Sequence, residues 1–519
     1  MPSRRVVVLD TTLRDGDQAA GFAFPLRDKL HIAHALAAAG VDIIEAGFPL
    51  SSAADAEACA LIAREFSAGT GSPAIAAMCR SIPGEIRETA RILAPARRSL
   101  LHLSLPVSDL HIRVKLGLDR AALLSRAIES VSLAVGLAGE IEMGAEDASR
   151  ADVPFLAEYC DAVTRAGARV VNIADTVGHA LPAEFAGRIA YLKRTVPAFR
   201  DGAARISVHC HNDLSLAVAN TLAAVSAGAD QIEVSALGVG ERAGNAALEE
   251  IAAVFDARAD SLAVKTGLVL SAIAPLARLV FSCAGTALSP FKPVTGSNVR
   301  AHASGIHQHG ISVDAQTYQS VNFARFGTGD ERIVLSRHSG RSGVESAALR
   351  YAGIQLSSER ATRLLDRIKK DLGSDGSAYG VTEFLLLLQV EECLDVPLVR
   401  CVSLRVSSTE RHVSMRARFS VSVPHTRAKA IHGTGRGYSI SEAAVDLVNR
   451  VCRTDLSIHS LSLSSYGSGT VMRHRAYLEI RSASCMDRIF AVERVGTDRE
   501  SILVSALLDA ANSLRRPSR

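Results

Sequence analysis

Residues 1–258 predict a closed parallel barrel of the α/β class, followed by two regions of different texture. Three observations carry that expectation. Short β-branched or apolar runs alternate with Ala/Leu-rich stretches of helical length, the pattern of βα units around a parallel sheet. Eight such runs fit in about 250 residues, the complement of a TIM (β/α)8 barrel. Asp15, Glu146, Thr176, His211 and Asn245 fall at or just after the C-terminal ends of different runs, and in a barrel those ends converge on one mouth. A doubly wound open sheet would give a similar string; the count and the polar strand ends favour closure.

The strands are expected at Val6–Asp10, Val41–Phe48, Ala74–Cys79, Leu101–Pro106, Glu140–Glu146, Arg169–Thr176, Arg205–His211 and Gln231–Leu237. The first has an apolar run of only Val6 to Leu9, so it reads as a buried strand rather than a signal peptide. Between them, Arg27–Ala39, Ala54–Phe66, Arg120–Leu137, Val153–Ala166, Ala183–Thr195 and Leu214–Ala227 read as helices. Residues 259–395 read as a mainly helical linker region, interrupted by Gly-rich polar stretches such as VTGSNVRAHASGIHQHGIS. Residues 396–519 hold two similar units, each of alternating strands followed by one helix: VRCVSLRV, HVSMRARFSVSV, SEAAVDLVNRV, then IHSLSLSS, HRAYLEIRS, RIFAVERV, SILVSALLDAANSL. The tandem predicts a duplicated α+β module. Within it, Gly433-Thr-Gly-Arg-Gly437 reads as a turn opening the first helix, with a small anion site as the alternative.

Composition narrows the class. The chain is 519 residues with 48% hydrophobic and 22% charged residues, which excludes disordered and fibrous chains. No apolar run reaches the roughly 18 residues of a membrane span, so no membrane association is expected. Fifty-eight basic against 54 acidic residues give +4, too balanced and dispersed for a nucleic-acid partner. Nine cysteines without a CxxC pair predict a reduced, cytoplasmic protein.

The sharpest local feature is Val-His-Cys-His-Asn-Asp at 208–213. His209 and His211, two apart on a strand, send both rings from one face, and in a barrel that face is the interior. Two neutral imidazoles there suit a divalent ion if an oxygen completes the site. Asp15, past the first strand, and Asn245, past the eighth, are placed to supply it. They also read as a turn residue and a helix N-cap. Arg14 beside Asp15 is a fixed donor for a developing oxyanion, or else an ordinary ion pair with Asp10 or Asp17. Gly238-Val-Gly-Glu-Arg-Ala-Gly-Asn245 lacks the GxGxxG spacing and follows the eighth strand, so it is not a dinucleotide fingerprint.

LRDGDQ at 13–18, HCHNDLSLAVANTLAA at 209–224, GVGERAGNAALEE at 238–250 and SGIHQHG at 304–310 together resemble the 2-isopropylmalate synthase and homocitrate synthase family, acyl-CoA-dependent condensing enzymes on a TIM barrel. The resemblance covers nearly the whole chain, and the terminal module looks like the leucine-sensing regulatory domain of 2-isopropylmalate synthases. It implies that Asp15, His209, His211 and Asn245 hold a divalent ion (Mn2+, Mg2+ or Zn2+) that chelates a 2-oxo acid. It implies Arg14 at the oxyanion, Thr176 at the substrate carboxylate, and Glu146 and His307 in proton transfer and water positioning, with acetyl-CoA as co-substrate. Homodimers are usual in the family. Asp17, His309 and His179 stand where its members usually carry Glu, Asp and Tyr.

Strand parity gives an expected pocket lining of His102, Ser104, Gly144, Asn172, Ala174 and Thr176, with Glu142 on the same face. LSLPVSD at 103–109 and EDASRAD at 146–152 resemble the nitrogen-fixation type of homocitrate synthase. His102, GFPLSS at 47–52 and the terminal module resemble 2-isopropylmalate synthase. A buried distal carboxylate, as in 2-oxoglutarate, demands a cation that this lining lacks. The expectation is therefore 2-isopropylmalate synthesis from 2-oxoisovalerate, with homocitrate synthesis or a specialised phosphonomethylmalate-type synthase as alternatives. A hydroxyacyl-CoA lyase and a non-catalytic metabolite sensor stand further off.

Overall fold

The computed structural model describes residues 4–69, 71–284, 289–328, 332–372, 380–391, 398–409, 412–423, 426, 428–466, 473–483 and 489–514. It divides into two compact units, Met1–Thr286 with Arg325–Gly327, and Ala287–Ala324 with Thr328–Arg519.

Eight parallel strands close on themselves in the first unit: β1 (Val7–Asp10), β2 (Ile43–Glu45), β3 (Ala74–Arg80), β4 (Ser99–Pro106), β5 (Glu140–Glu146), β6 (Val170–Asp175), β7 (Arg205–Cys210) and β8 (Gln231–Val234). Closure is made by β1, which pairs with β2 on one side (Leu9 opposite Ile43) and β8 on the other (Leu9 opposite Glu233). Val7, Leu9, Ile43, Ala74, Ala76 and Leu100 form an apolar cluster among these strands. Glu45, His102, Glu142, Asn172, Ser207, His209, Gln231 and Glu233 form a polar set, each almost wholly buried. Because strand residues alternate in and out, one register slip would exchange these side chains for the Val, Ile and Leu residues between them.

The outer ring is α1 (Leu26–Ala38), α2 (Ala53–Glu65), α3 (Pro83–Leu93), α4 (Arg120–Ala134), α5 (Val153–Ala166), α6 (Pro182–Thr195), α7 (Ala217–Ser226) and α8 (Leu248–Ala257). Ser52, Asp119 and Asp152 cap three of them by accepting from the backbone N–H of Asp55, Ala122 and Phe155. A further helix, α9 (Leu270–Ala284), ends the unit. Strand ends differ from the sequence expectation mostly by one or two residues. The second and eighth stop three early: Gly47 turns the chain with φ +153°, and Leu237 sits at φ +62° in a short turn. Among the described residues, no helix is long and apolar enough to cross a membrane.

In the second unit, α10 (Gly305–Val313), α11 (Arg341–Ala347), α12 (Ser358–Leu372) and α13 (Val381–Val390) precede the terminal module. Val344, Leu364, Ile368, Phe384 and Leu388 share one core. The duplication expected in the sequence is present. Antiparallel strands β9 (Leu398–Ser408), β10 (Val413–Ser422) and β11 (Lys429–Gly437) are followed by α14 (Ile440–Cys452). The repeat is β12 (Leu456–Tyr466), β13 (Arg473–Ser482), β14 (Ile489–Gly496) and α15 (Arg499–Ser513). Both halves feed one core, with Met415, Phe419 and Leu447 from the first and Leu478, Ile480 and Leu507 from the second.

The segment 433–437 is not a turn opening a helix: it is the end of strand β11. Its glycines alternate on the face that meets α14. A Cβ on Gly435 would lie 2.2 Å from the Ala443 carbonyl, and one on Gly433 2.4 Å from Val451. Gly-x-Gly-x-Gly here is close sheet–helix packing.

Candidate metal centre

Of the strand-end residues, Asp15, His209 and His211 lie together. His209 Nε2 and His211 Nε2 are 3.1 Å apart. Asp15 Oδ2 lies 3.4 Å from the first and 3.8 Å from the second. All three residues are buried. Their orientation comes from neighbours. Asp15 Oδ1 accepts from the Glu241 N–H at 2.9 Å, and His209 Nδ1 lies 3.0 Å from Glu233 Oε2. A carboxylate on Nδ1 makes that nitrogen a donor and fixes the ring; burial opposes charge on it, but Asp15 and Glu233 push His209 up to about 9, so Nε2 holds a proton that a bound cation would displace.

Asn245 arrives by the glycine-rich turn after β8. Gly238 and Gly244 adopt φ +68° and +90°, and a Cβ on Gly244 would strike the Gly238 carbonyl at 2.0 Å. The folded-back chain pairs Asn245 with His211 as an isolated bridge. Asn245 Nδ2 donates to the Val239 carbonyl at 3.1 Å, while its Oδ1 is buried with no hydrogen-bond partner. Two imidazole nitrogens at contact distance, a carboxylate oxygen and an orphaned amide oxygen form the donor set a divalent cation takes. The residues fit such an ion.

Charge at the site is arranged to stay fixed. Burial would raise the Asp15 carboxyl, but Arg14, then His209, hold it well below the usual carboxylate range. Burial and the neighbouring His209 ring pull His211 down to about 3, so it is a neutral donor. Arg14 does not pair with Asp10 or Asp17. Its Nη1 is 3.0 Å from Asp15 Oδ2 and its Nε 2.7 Å from Glu45 Oε2, which leaves Nη2 for a ligand. Asp17 instead pairs with Lys29 at 2.8 Å.

The residues expected to line a pocket have the following surroundings. His102 Nδ1 lies 2.7 Å from Glu45 Oε1; burial opposes charge on the ring, but Glu45 pushes it up to about 9. Asn172 Nδ2 donates to Glu233 Oε1. Gly144 is closely surrounded: a Cβ there would sit 3.2 Å from the Leu103 carbonyl and 3.4 Å from both Ser104 Oγ and His102 Nε2. Ala174 is paired with His209 across β6 and β7. Thr176 Oγ1 accepts from the Asp147 N–H at 2.8 Å, so its hydroxyl proton is free to donate elsewhere. Glu146 is held by the loop after β4, with Lys115 Nζ at 2.7 Å and His111 Nδ1 at 3.0 Å from its Oε1. His307 belongs to the second unit, where it stacks on Tyr318 with ring centroids 4.1 Å apart.

Sequence reasoning missed Glu45, Ser207, Gln231 and Glu233. Gln231 Nε2 donates to both oxygens of Glu142 at 3.1 Å, and Ser207 Oγ to Glu233 Oε1 at 3.2 Å. The available signal was parity: polar residues spaced by two on β7 and β8 share the face of His209.

Comparison with known proteins places this arrangement. Residues 5–280 match the HMGL-like family model, and residues 294–375 match a model described as homocitrate synthase post-HMGL domain-like. The chain is 36% identical to a 2-isopropylmalate synthase of Pyrococcus furiosus, across 99% of this chain and 100% of that one. It is 43% identical to 2-isopropylmalate synthase 1 of Caldanaerobacter subterraneus subsp. tengcongensis over 69% of this chain and 88% of the relative. A 2-isopropylmalate synthase of Methylacidiphilum infernorum is 42% identical over 71% and 72%. With eight closed strands, a strand-end donor set and a relative matched over its full length, the chain belongs to the HMGL-like family, in its 2-isopropylmalate synthase and homocitrate synthase branch.

Proposed function

We infer that the chain is an acyl-CoA-dependent transferase of the 2-isopropylmalate synthase type, condensing acetyl-CoA with 2-oxoisovalerate and releasing free CoA thiol. The observation that carries the reading is the convergence of Asp15, His209, His211 and the partnerless Asn245 Oδ1 beside Arg14. Those four residues would hold a divalent cation (Mn2+, Mg2+ or Zn2+), whose contribution when bound would be Lewis-acid polarisation of a 2-oxo acid's keto group. Arg14, clamped by Glu45 and Asp15, offers its remaining N–H groups to the oxygen that gains charge. The Thr176 hydroxyl donates to the substrate carboxylate. Glu146 removes a methyl proton from the acetyl thioester; the resulting carbanion bonds to the keto carbon as the C=O π pair moves onto oxygen, which takes up a proton, and water then adds to the thioester carbonyl and cleaves the C–S bond to give a carboxylate and the thiol. His307 is the second candidate for proton transfer and for holding that water. His102, Ser104, Gly144, Asn172 and Ala174 line the space for the acid's side chain. The terminal module takes a feedback effector such as leucine, and the working protein is a cytoplasmic homodimer.

Thiol release from acetyl-CoA across a panel of 2-oxo acids tests the reading. Turnover with 2-oxoisovalerate, lost on chelation and restored by a divalent ion, is the expected result. Turnover only with 2-oxoglutarate overturns the substrate choice in favour of homocitrate synthesis, a reading supported by the family description matched at 294–375. Turnover undiminished in chelator-stripped protein would overturn the metal site itself.

A further inference from the structure

We propose that the outward face of the β9–β10–β11 sheet is a binding site for a small phosphate-rich anion of the nucleoside polyphosphate class. Register defines the face. Arg405 lies opposite Arg416, Arg418 opposite His432, Arg436 opposite Ser414 and Arg400 opposite Ser420. Alternation sends Met415, Ala417 and Phe419 into the core, so the residues between them point outward. All five arginines are exposed. Their neighbours in those rows are Ser, Thr and Ala, with no carboxylate. Among the described residues, none of the five guanidinium groups enters an ion pair.

Like charges directly opposite each other weaken a sheet. A bound polyanion removes that cost. Arginine, rather than lysine, presents the planar fork that matches phosphate oxygens, and short Ser and Thr side chains leave it accessible. The same alternation turns His412 and Tyr438 outward at one end of the face. Their ring centroids are 5.2 Å apart with planes at 32°, and Tyr438 is 80% exposed. An exposed aromatic pair beside a cationic row is a seat for a heterocyclic base, which selects a nucleotide over bare phosphate.

The duplicated sheet provides an internal contrast. On β13 the outward positions include Tyr477 and Glu479, and Arg300 covers them: its Nη2 is 3.3 Å from the Tyr477 hydroxyl and 3.6 Å from Glu479 Oε1, and it is 4% exposed. One face is covered and bears a carboxylate among its outward residues; the other is open and its charged strand residues are arginines, with Asp446 and Glu442 of α14 at its edge accepting from the Arg436 and Tyr438 backbone N–H groups. A second copy of the chain is a poor occupant, because a symmetric contact sets arginine against arginine. Three strands and four rows make an area of about 10 by 20 Å, room for one nucleotide and too small for a specific macromolecular interface.

Binding is measured without substrates, so this site and the catalytic reading fail separately. The full-length chain is titrated by calorimetry with ATP and with inorganic tripolyphosphate. Both are expected to bind, ATP more tightly, with affinity falling as salt rises. R416E/R418E should weaken both by about tenfold or more. R405Q/R418Q, which removes charge without reversing it, keeps the test readable should the reversal disturb the sheet. Y438A should erase the advantage of ATP over tripolyphosphate. Absence of binding, or equal affinity in wild type and both arginine variants, overturns the assignment. So does binding to phosphatidylserine vesicles without binding to ATP. Equal wild-type affinity for ATP and tripolyphosphate overturns the seat for the base.

Discussion

Glu233 touches His209 Nδ1 through one oxygen while Asn172 and Ser207 donate to the other, and all are buried. That arrangement fixes the His209 ring and holds a proton on its Nδ1. Glu233→Gln puts an amide N–H where one of these donors now finds an acceptor, leaving a buried donor facing a donor. The variant should fold yet bind a divalent ion about 10- to 100-fold more weakly, measured by competition against a chelating dye. Unchanged affinity would remove Glu233 from the metal site's support. Asp10 makes a different point. Burial pushes its carboxyl up to about 7, with Glu249 and Glu45 adding to the rise against the Thr12 hydrogen bonds. Raised in the folded state, it keeps its proton between pH 4 and 7 while the unfolded chain loses one, so stability falls as pH rises through that window. Asp10→Asn retains the acceptor for the Thr12 N–H. It should gain on the wild type by up to about 4 kcal/mol between pH 4 and 8 in denaturant titrations. A pH-independent difference would mean that Asp10 titrates as in the unfolded chain.

Among the elements, those with strong periodicity were readable in advance. The eight barrel strands, most of their helices and the terminal duplication follow from hydrophobic pattern, which reports local burial. His209, His211, Asp15 and Asn245 were readable because chain closure makes strand ends converge, whatever the details. Glu45 and Glu233 were harder to read: parity puts Glu233 on the face of His209, but only the register of the neighbouring strand sets Glu233 and His209 directly opposite each other. The glycines of β11 misled for a related reason. Alternating glycine marks a turn or a close approach equally well, and only the position of α14 distinguishes them. Gly435→Val therefore tests the element. The new side chain cannot avoid Ala443 and Leu447, so unfolding of the second unit should come about 1–3 kcal/mol earlier, or more, with thiol release by the barrel followed in parallel. A neutral effect would show that α14 can shift away from the strand.

Each unit of the molecule closes its own cores: the barrel around its strands, the second unit around the α11–α13 cluster and the shared core of the two terminal sheets. Within the second unit a buried polar junction joins the helical region to the terminal module. Asp509 accepts from Arg494 and from the Thr382 hydroxyl at 2.6 Å, and Asn512 Nδ2 donates to the Val399 carbonyl at 2.8 Å. Every proposed cation ligand lies in the first unit. A ligand stabilises only the folding unit that binds it, by about 2.7 kcal/mol at a free concentration 100 times its Kd. Scanning calorimetry of the full chain should accordingly resolve two transitions, and chelation should lower one of them by several degrees while the other stays in place. Thr382→Val, which removes the hydroxyl facing Asp509, should move the transition that chelation leaves alone. If chelation displaced both transitions together, the barrel and the second unit would have to unfold as one cooperative body, and an effector bound at the terminal module would then act on the metal centre through shared stability rather than through a discrete switch.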